Sequence, residues 1–298
     1  MYEVKPIFYC PLWGDHRLLE YGSNQKNTGI IYTVSGIDSI NCQIKNENEC
    51  TTLKEKTDSN PELFGLLPGE CFPVIIAFDS CKESVSFQIH PTDEYAREKL
   101  SLPYGKSEAW YFIESPEQNW IYAQTKKEDI QKDIENNSFD FVDKIDVKEN
   151  DLIYIRSGMV HALTKGSLIY EIQQSTNITY RLYDYDRIDP ITHKKRELHI
   201  QQALENLNPS LKVDQKNFPV HSQGNYREFS LVHTILKDSY TNESTIVCAI
   251  SVLKGTLIVN HIKIDQGKSI LVLPEETITI QQEAEVMIAI CHPYFRNI

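Results

Sequence analysis

The sequence has no C-x-x-C pair, no long apolar run and no excess of basic residues, and each absence removes a class of function. Its seven cysteines, Cys10, Cys42, Cys50, Cys71, Cys81, Cys248 and Cys291, are odd in number and scattered. Neither a disulfide framework nor a thiolate zinc site is expected from that spacing, and a reducing cytoplasm is the compartment it suits. Each cysteine reads as a small buried or half-buried hydrophobe. No stretch approaches the ~20 apolar residues that a membrane-spanning helix needs. The opening "MYEVKPIFYCPLWGDHRLL" lacks a basic segment followed by an uninterrupted apolar one, so no secretory signal is expected. Acidic residues outnumber basic ones by 42 to 30, a formal net charge of −12. Nucleic acid and anionic membranes select the opposite sign, so neither is expected as a partner. A small anionic substrate is compatible, because it needs only a local cationic pocket.

Long helical patterns are scarce as well. Most of the chain consists of short β-branched and aromatic runs between turn residues, such as "GIIYTVSG", "FPVIIAF", "EAWYFIE", "DLIYIRSG" and "GSLIYEIQQ". Repeated short strands of this kind predict an all-β sandwich or barrel, and the missing alternation with helices excludes a parallel sheet. Three segments read as helices: "TDEYAREKL" with Thr92 or Asp93 as its cap, "KKEDIQKDIENN" with Ile130 and Ile134 as a narrow apolar stripe, and "LHIQQALENLNP", with Leu198, Ala203, Leu204 and Leu207 at helical spacing. The polar stretch 208–225 reads as a linker between an N-terminal unit over 1–207 and a C-terminal one over 226–298. Both units follow a strand, glycine turn, strand grammar, which suggests a duplicated sandwich. In the second copy His261 and His292 are candidate ligands, isolated from carboxylates, and the copy reads as structural.

Polar residues inside strand-like runs are the candidates for chemistry. In "SVSFQIHPTDEYAREK" the alternation of a strand sends Ser86, Gln88 and His90 to one face. Glu108 in "GKSEAWYF" and His161 in "RSGMVHAL" sit in comparable runs. Two imidazoles, a carboxylate and an amide oxygen form a workable set for a divalent first-row metal, zinc above all, if separate strands converge inside a sandwich. The alternative is that each histidine ends a strand or fills a turn with its ring bonded to backbone. A denser cluster is "YEIQQSTNITYRLYDYDR", where Ile169, Glu171 and Gln173 share one strand face. A carboxylate among apolar strand residues is costly if buried alone, so Glu171 is either solvent-facing or set in a functional cavity. Arg181 presents a planar fork of donors suited to a carboxylate, a phosphate or a developing oxyanion; its alternative is a structural bridge to Asp184 or Asp186.

Taken in order, "FQIHP", "GKSEAWY", "SGMVHAL" and "LIYEIQQSTNITYRLYDYDR" resemble the short bacterial branch of the class I mannose-6-phosphate isomerases over residues 5–210, and "PIFYCPLWGDHRL" is similar to that family's N-terminus. The resemblance implies an all-β double cupin, two jelly-roll domains with a few short helices, and one Zn2+ per chain, other divalent first-row metals being substitutes. It implies Gln88, His90, Glu108 and His161 as metal ligands, and Arg181 as the catalytic arginine. Glu171 and Lys106 are implied in proton transfer or substrate contact, and Ser86 and Lys106 in substrate binding. The activity implied is interconversion of mannose 6-phosphate and fructose 6-phosphate through a cis-enediol, by a cytoplasmic monomer or weak homodimer.

The chain departs from the family's pattern at several positions. The family usually has a lysine, associated with the phosphorylated substrate, where this chain has Ala77. Ile30 stands where an acid is common, Asn177 where aspartate is common, and Trp13-Gly14-Asp15 where the family has tryptophan and two glycines. These differences leave two alternatives beside the phosphosugar isomerase: an isomerase for another sugar, and a non-catalytic sugar-binding cupin.

Overall fold

The computed structural model describes residues 1–127, 129–136, 138–189 and 192–297. It is built almost wholly from antiparallel strands, stacked as four layers of sheet. A seven-stranded sheet runs in the order Asp214–Asn217, Asp151–Ile155, Glu108–Glu114, Leu168–Gln174, Val74–Ser80, Ile30–Val34, Ile7–Tyr9. A five-stranded sheet, Val142–Asp146, Trp120–Thr125, His161–Ala162, Phe87–Ile89, Tyr180–Tyr183, faces it to make the N-terminal jelly roll. On the other side lie an eight-stranded sheet, which includes Phe229–Leu236, Ala284–Cys291 and Cys248–Lys254, and a four-stranded one around Thr277–Gln282.

Side-chain alternation decides what each gap contains. Along Leu168–Gln174, Tyr170 and Ile172 point into the core between the seven- and eight-stranded sheets. Ile169 packs with Trp110, Phe112 and Ile153 between the seven- and five-stranded sheets, and Glu171 and Gln173 follow it to that side. Along the five-stranded sheet, Phe87, Ile89, Ala162, Tyr180 and Leu182 form an outer apolar cluster covered by helices, so the residues between them face inward. Among the described residues, no helix is long and apolar enough to cross a membrane.

The expected helices form, with shorter bounds. Asp93–Leu100 is capped by Thr92, whose hydroxyl accepts from the Tyr95 N–H at 3.2 Å. Gln131–Glu135 keeps Ile130 and Ile134 buried; Glu128 and Asn137, within the segment expected to be helical, lie outside the described residues. Ile200–Asn206 buries Ala203, whereas Leu198 precedes the helix and is 41% exposed.

The stretch 208–225, expected to be a linker, contains two strands instead. Asp214–Asn217 pairs with Asp151–Ile155, and Ser222–Asn225 pairs with Phe229–Leu236. Both are edge strands, where one side of the ladder meets water and polar residues are ordinary, so their composition carried no strand signal. Tyr2–Lys5, at the opposite end of the chain, pairs with Ser269–Val272 and extends the C-terminal sheet. In the C-terminal part, His292 is held by the Ser230 hydroxyl at 2.8 Å and the Arg227 carbonyl at 3.2 Å.

Candidate active site

Between the seven- and five-stranded sheets lies a cavity of about 620 Å³, lined among others by Ser86, Gln88, Lys106, Glu171 and Arg181. Register brings its walls together. Gln88 is paired with His161 on one side and with Arg181 on the other. Glu108 sits opposite Gln173, and Ala77 opposite Glu171. Two glycines allow the close approaches that this needs. A Cβ on Gly105 would lie 2.5 Å from the Pro91 carbonyl oxygen, so glycine lets the chain press against the turn after His90 and deliver Lys106. Gly158 has φ +86°, and its N–H donates to the His90 carbonyl at 3.0 Å, which folds the turn that leads to His161.

His90, Glu108 and His161 are fully buried, and their ligand atoms all lie within 4.8 Å of one another. His90 Nε2 is 3.3 Å from one Glu108 oxygen, His161 Nε2 is 3.3 Å from the other, and the two Nε2 atoms are 3.1 Å apart. Nδ1 of His90 lies 2.9 Å from the Ile178 carbonyl and Nδ1 of His161 lies 2.9 Å from the Met159 carbonyl. A carbonyl only accepts, so Nδ1 carries the proton in each ring and Nε2 presents a lone pair to the common centre. Both Glu108 oxygens are buried without a hydrogen bond of good geometry. The Lys106 ammonium meets this group from one side, and the two lone pairs and the ionised carboxylate aimed at one point fit a metal ion. The Gln88 amide adds a fourth group, 3.2 Å from His161 Nε2, and a half-turn of that amide brings its oxygen to the same place.

The electrostatics agree with that assignment. Burial holds His161 neutral, pushed down to about 3, and lowers His90 in the same way. Burial alone would raise Glu108, but the Lys106 ammonium outweighs it and holds the carboxyl well below its usual range. Lys106 Nζ lies 2.9 Å from Glu108 Oε2, 3.1 Å from His90 Nε2 and 3.8 Å from Glu171. These acids overcome burial and keep it charged, so it is already matched within the protein. Glu171 is raised well above the usual carboxylate range, by burial first and then by Glu108 and Asp79.

Arg181 differs from Lys106. The acids that could bridge it structurally are held by other side chains: Asp184 by Arg187 and Arg196, and Asp186 by Lys195. Among the described residues, no ion pair engages the Arg181 guanidinium, which lines the cavity beside Arg196 and His199. Its backbone N–H donates to His199 Nδ1 at 3.3 Å.

Ala77, Ile30 and Asn177 all line the same cavity, so each departure named above faces the space a ligand would fill. Asp15 does not; it pairs with Arg17 at 2.8 Å and accepts from Ser80 at 2.9 Å. Sequence reasoning missed Asp79, Arg196 and His199. Asp79 was within reach of the alternation argument, being on the face of Ala77 and across from the strand of Glu171; the other two arrive on a loop and a helix start with no local signal.

No family model matches the chain. It is 35% identical to the mannose-6-phosphate isomerase ManA of Bacillus subtilis over 208 residues, which cover 67% of this chain and 66% of that protein. It is 34% identical to the mannose-6-phosphate isomerase of Streptococcus mutans over 215 residues, 68% of this chain and 67% of that one. The matched part thus spans about two thirds of the relatives' length. The fold continues further. The crystal structure of the Bacillus subtilis mannose 6-phosphate isomerase superposes with a TM-score of 0.83 over 97% of this chain and 98% of that chain, at 24% identity. With the cupin sandwich and the buried His90/Glu108/His161 group, these likenesses place the chain in the mannose-6-phosphate isomerase family.

Proposed function

We propose that the protein is a metal-dependent aldose–ketose isomerase that interconverts mannose 6-phosphate and fructose 6-phosphate. The reading is carried by one observation: Gln88 and Lys106, which touch the buried His90/Glu108/His161 group, line the same cavity as Arg181, whose guanidinium has no ion pair among the described residues, and the cavity is large enough for a hexose phosphate. Gln88, His90, Glu108 and His161 would hold the ion, with zinc the metal that suits nitrogen and oxygen donors without thiolate. When bound, a divalent cation supplies polarisation of the substrate's C1 and C2 oxygens.

The chain's own residues supply the rest. Isomerisation moves a proton from C2 to C1 through a cis-enediol. Glu171, raised toward neutrality by burial and by its acidic neighbours, is suited to take up and return that proton. Arg181 offers a fork of donors for the negative charge that develops on the enediol oxygens or for the phosphate. Lys106 keeps Glu108 ionised and its ammonium within reach of a sugar oxygen, and Ser86 contributes to the pocket wall. Jelly-roll walls built on register-locked strands keep these groups preorganised.

A second reading is favoured by Ala77. An alanine facing the cavity brings no charge to the wall where the family commonly carries lysine, which supports isomerase chemistry on another sugar. Formation of fructose 6-phosphate by the zinc-loaded protein, followed with a coupled reporter enzyme, tests the first reading, and absence of turnover overturns it. Equal rates on mannose and mannose 6-phosphate would favour the second.

A further inference from the structure

The cavity wall formed by Val74–Ser80 carries a polar group that the reading above leaves unused. Asp79 is two residues from Ala77 on the same strand face, lines the cavity and is 5% exposed. The Glu171 carboxyl is near enough to act on that of Asp79, yet among the described residues Asp79 Oδ1 is buried with no hydrogen-bond partner. The residues beside it across both ladders are Ile30 and Ile169, which have no side-chain donor to offer. Lys106, whose ammonium is near this wall, is already engaged by Glu108 and Glu171. A buried acceptor without a donor is unfavourable, and in a cavity the donor can come from a ligand.

The charges of the two walls differ. Asp79 and Glu171 lie on the seven-stranded sheet, whereas Arg181 lies on the five-stranded sheet with Arg196 nearby. An anionic substituent is repelled from the first wall and drawn to the second, while hydroxyl groups are suited to carboxyl acceptors. Asp79 lines the cavity as a residue, and burial pushes its carboxyl up to about 6, so near neutral pH it can serve a ligand hydroxyl as acceptor.

We propose that Asp79 is a specificity-determining residue whose carboxyl accepts a hydrogen bond from a hydroxyl of the bound sugar, so that this wall reads hydroxyls and any phosphate is left to the Arg181 wall. The inference rests on the reading of the cavity as a sugar site. It does not depend on turnover.

Hexitols test it, because they carry the hydroxyls of the open-chain sugar and have no carbonyl to isomerise. An unphosphorylated hexitol and its 6-phosphate are titrated calorimetrically into the metal-loaded protein, wild type and variants. Asp79→Leu is expected to weaken hexitol binding about tenfold, as loss of a buried acceptor does. Asp79→Asn, which keeps an acceptor oxygen, is expected to lose less than half of that effect on a logarithmic scale. The ratio of phosphorylated to free hexitol affinity is expected to rise in Asp79→Leu, because repulsion from this wall is removed. Should the leucine variant not fold, Asp79→Ala gives the same reading. Hexitol affinity within twofold of wild type in the leucine or alanine variant overturns the proposal, as does absence of hexitol binding by the wild type. Turnover is read separately: an active wild type whose hexitol binding ignores Asp79 sinks this inference alone. An inactive wild type with Asp79-dependent binding sinks only the isomerase.

Discussion

His90 and His161 present Nε2 to Nε2 across 3.1 Å, each ring oriented by a backbone carbonyl 2.9 Å from its Nδ1. Two lone pairs at that separation define a centre for a cation, and the Glu108 oxygens close it from a third strand. The arrangement owes nothing to local sequence spacing. It arises because His161 and Gln88 are register partners and because Glu108 projects from the facing sheet.

Replacing one of these ligands is expected to remove the metal. His161→Ala should purify with bound metal reduced at least tenfold, measured by elemental mass spectrometry. Its turnover should fall by at least about 10²-fold, since even outer-sphere changes at such sites cost about 10–100-fold. Full metal content in this variant would place the ion elsewhere.

Arg181 is expected to act on chemistry and not on the metal. Arg181→Ala should lower kcat/KM by about 10²-fold or more, as removal of a preorganised donor typically does, with metal stoichiometry unchanged. Arg181→Lys should recover only part of the loss, because an ammonium cannot reproduce the planar fork. Steady-state kinetics on mannose 6-phosphate beside metal analysis checks both, and unaltered rates would assign the role to another group.

Ala77→Lys introduces an ammonium into the cavity wall, opposite Glu171 in the ladder. The kcat/KM ratio of mannose 6-phosphate to mannose is expected to rise at least about fivefold, through Coulomb attraction at a partly desolvated site. A ratio that stays put would show that phosphate recognition does not involve this wall.

Asp79 gives a pH signature. Its carboxyl is raised from 3.8 to about 6 by burial first of all, so between those values the folded state binds more protons than the unfolded one. Stability contributed there is present at low pH and is lost as pH rises through about 6. Asp79→Asn, which cannot ionise, is therefore expected to be more stable than the wild type at pH 8, by on the order of 2 kcal/mol. The difference should shrink toward pH 4. Denaturant unfolding at the two pH values measures it, and a pH-independent difference would mean that the effect is packing and not ionisation.

Much of this molecule was legible before its fold was. Strand alternation placed Gln88 with His90, and Ile169 with Glu171, on common faces, and both pairings hold because period two is a property of the backbone itself. Thr92 announced its helix for a similarly local reason, since a hydroxyl that accepts from the N–H three residues on needs no tertiary partner. The strands over 214–217 and 222–225 were not legible, because an edge strand of polar residues resembles a loop.

Fold class, the short helices and the inward faces that supply each candidate ligand are written locally in the chain, since hydrophobic period and caps act within a few residues. Only the tertiary structure decided which of those faces meet. Sheet register joined Gln88 to His161 and Arg181, packing of two sheets set Glu108 opposite them, and Asp184 went to Arg187 and Arg196, so that among the described residues no ion pair engages Arg181. It also brought the strand of Asp79 against that of Glu171, a pairing that alternation within one strand does not name. Contacts across sheets join residues far apart in the chain, and their pairing is set by global packing, so no local pattern can carry it.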